Sequence, residues 1–241
     1  MPNNCPQAEG AKSGNVRFAP PYTFDLVVKT PVPEIRIIDG DDFLTHNAFR
    51  APGAASLEEL RQVQKKVHYL AGIYSKMHRG IVPHAVALDP GNLHLLDGAT
   101  FAFISMDAGE PKRLAVQKCE QMGIPFVDVG MGLELVEGSL GGILRVTSST
   151  PEMRAHVHNG RISFCSGDEE NLYATNIQVA DLNALNAAMA VIKWKKRRAS
   201  IGQARAGPNR RARSIRSAAT RARPSRQSCS LSSSSTPMTT L

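Results

Sequence analysis

Apolar positions recur along this chain in short blocks, and the spacing within a block alternates between strand-like and helix-like. Residues 24–28 suit the last turn of a helix or a short strand, and Pro31 and Pro33 stop them. Glu34, Ile35, Arg36, Ile37 and Ile38 form a β-branched run that predicts a buried strand, followed by a polar loop over 39–55. Ser56 with Glu59 makes a capping box. Behind it Leu57, Leu60, Val63, Val67, Leu70, Tyr74 and Met77 recur at intervals of three and four, which predicts one amphipathic helix ended by Gly80. Further strands are predicted over 81–88, 101–105 and 126–129. A helix from about Glu110 separates the last two, with Pro111 in the tolerated first turn and Gly123 as its stop. The glycine-rich stretch 130–147, β-prone at both ends, reads as an antiparallel extension, and the alanine- and leucine-rich 176–194 as a helix.

Strands alternating with helices predict an α/β fold, a doubly wound and mostly parallel sheet with a small antiparallel extension. The domain is expected over 24–195. Residues 1–23 are polar, proline-containing and without period, and are expected to be disordered. So is the tail over 196–241: from Arg197 onward there are ten Arg, ten Ser, no acid and no aromatic, a composition unable to bury enough surface to order itself.

The net charge of +8 is misleading unless the chain is divided. Thirteen of the 29 basic residues lie from Lys193 onward, where there is no Asp or Glu. Sixteen basic residues against 21 acidic ones remain before it, so the body is acidic. The basicity is therefore no sign that the folded body binds nucleic acid, and any such binding is expected through the tail alone. No run of about eighteen apolar residues is present, and the start lacks the basic-then-apolar layout of a secretory signal. Cys5, Cys119, Cys165 and Cys229 have no framework spacing, which suits a reducing cytoplasm.

Candidate chemistry gathers just past the first predicted strand. Asp39 leaves that strand where an acid in an α/β fold is placed to bond ribose hydroxyls. Asn47 and Arg50 follow with an amide and a permanent cation suited to phosphate. Taken singly, each has a plainer reading: Asp39 caps a loop, Arg50 and Lys66 are solvated cations, and Asp107 is a helix N-cap. Cys119 and Cys165 are nucleophile candidates that buried thiols explain as well. His156 and His158, read as one strand face, form a metal pair without a third ligand. The glycines at 130, 132, 138, 141 and 142 serve turns, or let a partner's thin tail approach.

In order, these marks make residues from about 26 to 192 resemble the ThiF/MoeB/HesA adenylyltransferases, relatives of ubiquitin-activating enzymes. The marks are Asp39 with Asp41, then Asn47 and Arg50, Lys66 before Val67, Asp107 before Lys112 and Arg113, and the stretch 125–130. The resemblance implies a Rossmann-like fold, ATP and Mg²⁺, and activation of the C-terminal carboxylate of a small ubiquitin-like or sulfur-carrier protein. It also implies a homodimer. By position, Asp39 and Asp41 would hold the ribose side, Asn47, Arg50 and Lys66 the phosphates, and Asp107 the metal.

Three departures stand beside it. The family's glycine-rich loop and first strand belong just ahead of residue 24, where only Gly10 and Gly14 occur and no strand is predicted. The stretch between Arg50 and Lys66 is longer than usual, so Lys65 rivals Lys66. No Cys-x-x-Cys pair exists, so no structural zinc is expected. The lost loop and the Arg/Ser tail together predict an incomplete or frame-shifted copy of an active domain; translating the other two reading frames would reveal the loop upstream and helical sequence downstream. Two other classes remain open at this stage. One is a non-catalytic module with the same fold; the other is a nicotinamide-dependent dehydrogenase, for which no Tyr-x-x-x-Lys or His/Asp relay is evident.

Overall fold

The computed structural model describes residues 15–17, 21–136, 139–164 and 179–205. In chain order the elements are β1 (Asn15–Arg17), α1 (Pro21–Val28), β2 (Glu34–Ile38), α2 (Thr45–Ala48), α3 (Leu57–Arg61), α4 (Lys66–Tyr74), β3 (Ile81–His84), β4 (Phe101–Ile104), α5 (Glu110–Gln121), β5 (Phe126–Val136), β6 (Ser139–Ser149) and α6 (Ala180–Arg205). The six strands form one sheet in the order β3-β2-β1-β4-β5-β6. All neighbours pair parallel except β5 and β6, which form the antiparallel extension. This is the Rossmann-like, doubly wound architecture.

β1 corrects the sequence reading, which expected disorder through residue 23 and no strand there. Three residues are too few to carry a period-two signal, and β1 takes its place from its neighbours. Val16 registers with Ile35 of β2 on one side and with Phe101 of β4 on the other. The central backbone groups are thereby paired. The predicted disorder over 1–14 and 206–241 lies outside the described residues, as do Gly10, Gly14, Cys5, Cys165 and Cys229.

Alternation along the strands divides the core into two layers. Phe101 and Phe103 of β4 join Ile35, Ile37 and Val127 in a cluster with α1, α4 and α6, closed by Phe24, Leu70 and Trp194. Ala102 and Ile104 face the other way, against Ala115, Val116 and Cys119 of α5. Helices on both faces are what a mostly parallel sheet requires.

The helix predicted from Ser56 to Gly80 is two helices, not one. α3 keeps the predicted cap, Ser56 accepting from the Glu59 amide and Glu59 accepting from the Ser56 amide. The chain then turns through Val63 at φ 44°, a left-handed conformation costly for a β-branched residue. What holds the break is backbone pairing to the loop after β2: Phe43 N–H to Gln64 C=O at 2.8 Å and Lys66 N–H to Asp41 C=O at 3.0 Å. Consequently Leu57, Val63 and Met77, which the periodicity put on the buried stripe, are exposed, while Val67, Leu70 and Tyr74 are buried. β3 is also shorter than the 81–88 predicted, and α6 runs further than the predicted 194.

Candidate functional site

A cavity of about 480 Å³ opens at the carboxyl ends of the parallel strands, where doubly wound folds bind ligands. Each strand end contributes to its wall: Pro21 and Tyr22 after β1, the loop 39–43 after β2, Val86, Ala87 and Leu88 after β3, Ser105 to Ala108 after β4, and Val129 within β5. Asn183 and Asn186 of α6 close the far side. Asp39, Asp41, Asn47, Arg50, Lys66 and Asp107 all line this one cavity. Sequence order alone scatters them over nearly 70 positions; the strand order brings them to one rim.

Local bonding fixes how each presents itself. Asp39 Oδ1 accepts the Asp41 amide at 2.8 Å, folding the strand end back on itself. Burial pushes the Asp39 carboxyl above its usual range, against the opposing pull of that amide and of Lys66. A Cβ on Gly40 would stand 2.7 Å from the Ala87 amide, so only glycine lets the β2 and β3 loops meet here. Phe43 stacks on Tyr69 with centroids 3.9 Å apart and pins the loop to α4. Asn47 Oδ1 accepts the Leu44 amide at 2.9 Å, which leaves the donor end of its amide for a ligand. Arg50 Nε reaches the His46 carbonyl at 3.4 Å, a long bond that positions the guanidinium weakly.

The two lysines take different positions. Lys66 lines the cavity and its Nζ lies 2.6 Å from Asp41 Oδ2. Lys65 turns the other way, bonding the Gly40 carbonyl and pairing with Asp42 at 2.8 Å, and does not line the cavity. Lys65 therefore serves the fold, clamping the β2 loop to α4.

Past β4, Asp107 is exposed at the rim, and Ser105 Oγ is buried with no hydrogen-bond partner. Gly109, not Asp107, occupies the N-cap of α5. Lys112 and Arg113 separate in role. Arg113 is half exposed and pairs loosely with Glu110. Lys112, 3% exposed, forms a buried ion pair with Asp128 of β5 at 2.8 Å, which ties the α5 layer to the sheet beneath the site. Burial raises the Asp128 carboxyl, with Lys112 and then Arg145 opposing the rise.

The other candidates lie elsewhere. Cys119 is buried in α5 and its thiol is pushed up to about 12 by burial, an inert core group. His156 and His158 sit in a helical turn and not on a strand: His156 bonds the Ser148 carbonyl, and His158 faces Glu120 at 3.2 Å. Among the described residues no group of three or more His, Cys, Asp or Glu could hold a metal. An ion such as Mg²⁺ needs less, one or two carboxylates with waters completing its shell, and Asp107 is a hard oxygen donor at the cavity rim that fits that need.

Sequence reasoning missed Tyr22, Ser105, Asn183 and Asn186. For the two asparagines a signal was present. They fall on the same stripe of α6 as the buried Ala187, Ala190, Val191 and Trp194, and an amide in an apolar stripe asks for a reason.

No protein-family model and no curated protein matches the chain. Solved structures do. The chain is similar to MccB of E. coli at 16% identity and a TM-score of 0.53, over 76% of this chain and 54% of that one. A second structure, E. coli MccB with MccA-N7isoASN, matches at 15% identity and 0.50, over 74% and 54%. The chain thus spans about half the length of the structures it matches. At this identity the likeness shows the fold alone, and it is the Rossmann-like fold that the sequence resemblance implied. Among the described residues, no helix is long and apolar enough to cross a membrane.

Proposed function

We propose that this domain is an ATP-dependent adenylyltransferase of the ThiF/MoeB type, acting on the C-terminal carboxylate of a small protein or peptide. One observation carries the reading: six residues picked by resemblance, two acids, an amide, two cations and a rim carboxylate, line one cavity at the carboxyl rim of a doubly wound sheet. In this reading Asp39 bonds the ribose, with Asp41 beside it, and Val86, Ala87 and Leu88 form the apolar wall for the base. Lys66 exchanges Asp41 for phosphate oxygens, and Arg50 and Asn47 add donors. Asp107 would hold Mg²⁺, which supplies further neutralisation of phosphate charge. The carboxylate oxygen attacks the α-phosphorus, the bond to the pyrophosphate oxygen breaks, and no proton need move. The residues lower the repulsion between two anions and the charge growing on the leaving group. The reading includes a homodimer and a ubiquitin-like or sulfur-carrier substrate.

A second reading rests on the segment between β1 and α1. Its three residues, Phe18, Ala19 and Pro20, include no glycine, and Pro20 and Pro21 have no N–H to give a phosphate. That favours a non-catalytic module that keeps the fold but cannot bind ATP. ATP–pyrophosphate exchange with a diglycine-ended small protein separates the two. Exchange supports the enzyme; the absence of both ATP binding and exchange supports the module.

A further inference from the structure

We infer that Asn186, with Asn183 beside it, reads the last peptide bond of the acyl substrate, so that the site selects a peptide carboxylate over a simple organic acid. The inference rests on the adenylyltransferase reading and deepens it. Asn186 is 4% exposed and lines the cavity. Its Nδ2 donates to the Gly130 carbonyl at 2.9 Å, and that bond orients the amide, because the reversed amide would set oxygen against oxygen. Oδ1 then has no hydrogen-bond partner. A buried acceptor of this kind, in the wall of a ligand cavity, awaits a donor.

Position says which donor. Asp39 follows β2 and Gly130 lies in β5, three places apart in the sheet, roughly 14 Å at the usual strand spacing. With the ribose on Asp39 and the base on the β3 side, the phosphates fall near Ser105 and Asp107, and the acyl group falls beside β5 and α6. There the chemistry is restrictive. Phosphate and carboxylate oxygens carry no hydrogen to give at neutral pH, the ribose hydroxyls are held at Asp39 three strands away, and the adenine amine lies further still. The remaining donor is the amide N–H of the residue that bears the reacting carboxylate. Asn183, a turn earlier on the same face of α6, lines the same wall and supplies further hydrogen-bonding groups for an extended backbone.

The test uses two synthetic tetrapeptides, one ending in Gly-Gly and one with glycolate replacing the last glycine, so that an ester oxygen stands where the amide N–H was. ATP binding and ATP–pyrophosphate exchange are measured with each. Wild-type protein is expected to need about tenfold more of the ester for half-maximal exchange. Asn186→Ala is expected to treat the two alike while its ATP affinity is unchanged. Wild-type protein that exchanges equally well with the amide and the ester overturns the assignment to Asn186. Protein that binds no nucleotide, or that binds ATP and exchanges with neither peptide, overturns the reading beneath it. Should Asn186→Ala fail to fold, the peptide pair on wild-type protein still decides.

Discussion

In the proposed reading Asp39 serves nucleotide binding at the expense of the fold. Its carboxyl is raised by burial, so the folded chain holds its proton more tightly than the unfolded chain does. For an acid raised in this way, the stabilising contribution is present below the unfolded value and is lost as pH rises through the folded value. At neutral pH the ionised group therefore gives no stability. Asp39→Asn is expected to leave thermal stability at pH 7 equal or higher while weakening nucleotide binding, read by melting temperature and by titration with ATP. The lysines make a paired test. Lys66→Ala is expected to lower exchange about a hundredfold, the usual loss when a charge-stabilising donor is removed. Lys65→Ala, which removes a cation that does not line the cavity, is expected to leave exchange little changed. Equal losses from both would place the phosphate group elsewhere.

At the scale of elements, the break between α3 and α4 is the feature that matters most for the site. A continuous helix over 57–77 would leave the Phe43 amide and the Asp41 carbonyl without the partners that now align the β2 loop with Lys66. Val63→Gly is a direct test. At φ 44° with a half-exposed side chain, glycine relieves left-handed strain and is expected to stabilise the protein by about 0.5–1 kcal/mol in urea denaturation. Inside a continuous helix the same change would instead cost a few tenths of a kcal/mol. The periodicity that suggested one helix was real, but period alone counts apolar positions and cannot see a competing backbone partner 25 residues away. β1 escaped for the converse reason, since its three residues have no pattern of their own and are a strand only because β2 and β4 flank them.

For the molecule as a whole, the Lys112–Asp128 pair joins the α5 layer to the sheet at full burial. Removing one partner leaves an uncompensated charge in the core, so Lys112→Ala is expected to cost about 3–5 kcal/mol. The double variant Lys112→Met with Asp128→Leu is expected to recover most of that loss, measured by urea denaturation. A single variant as stable as the double would mean that Arg145, 3.7 Å from Asp128, carries the neutralisation instead. The same layer construction assembles the cavity. The strand order places the ends of β2, β4 and β5 around one crevice, and α6 returns across it with Asn183 and Asn186.

By itself the sequence determined most of the strands and helices and the chemistry carried beside them. β-branched runs, a capping box, and a proline at the start and a glycine just past the end of α5 act locally, over a few residues, and so are legible in order. Asp39, Asn47 and Arg50 were singled out by their place after such an element, and Lys66 and Asp107 by resemblance; all five line the cavity. Tertiary structure decided what depends on contacts between distant segments: that β1 is a strand, that one helix is two, that Lys66 and not Lys65 lines the cavity, and that two asparagines complete its wall. Those outcomes are set by backbone pairing and burial across the sheet, which no local pattern encodes.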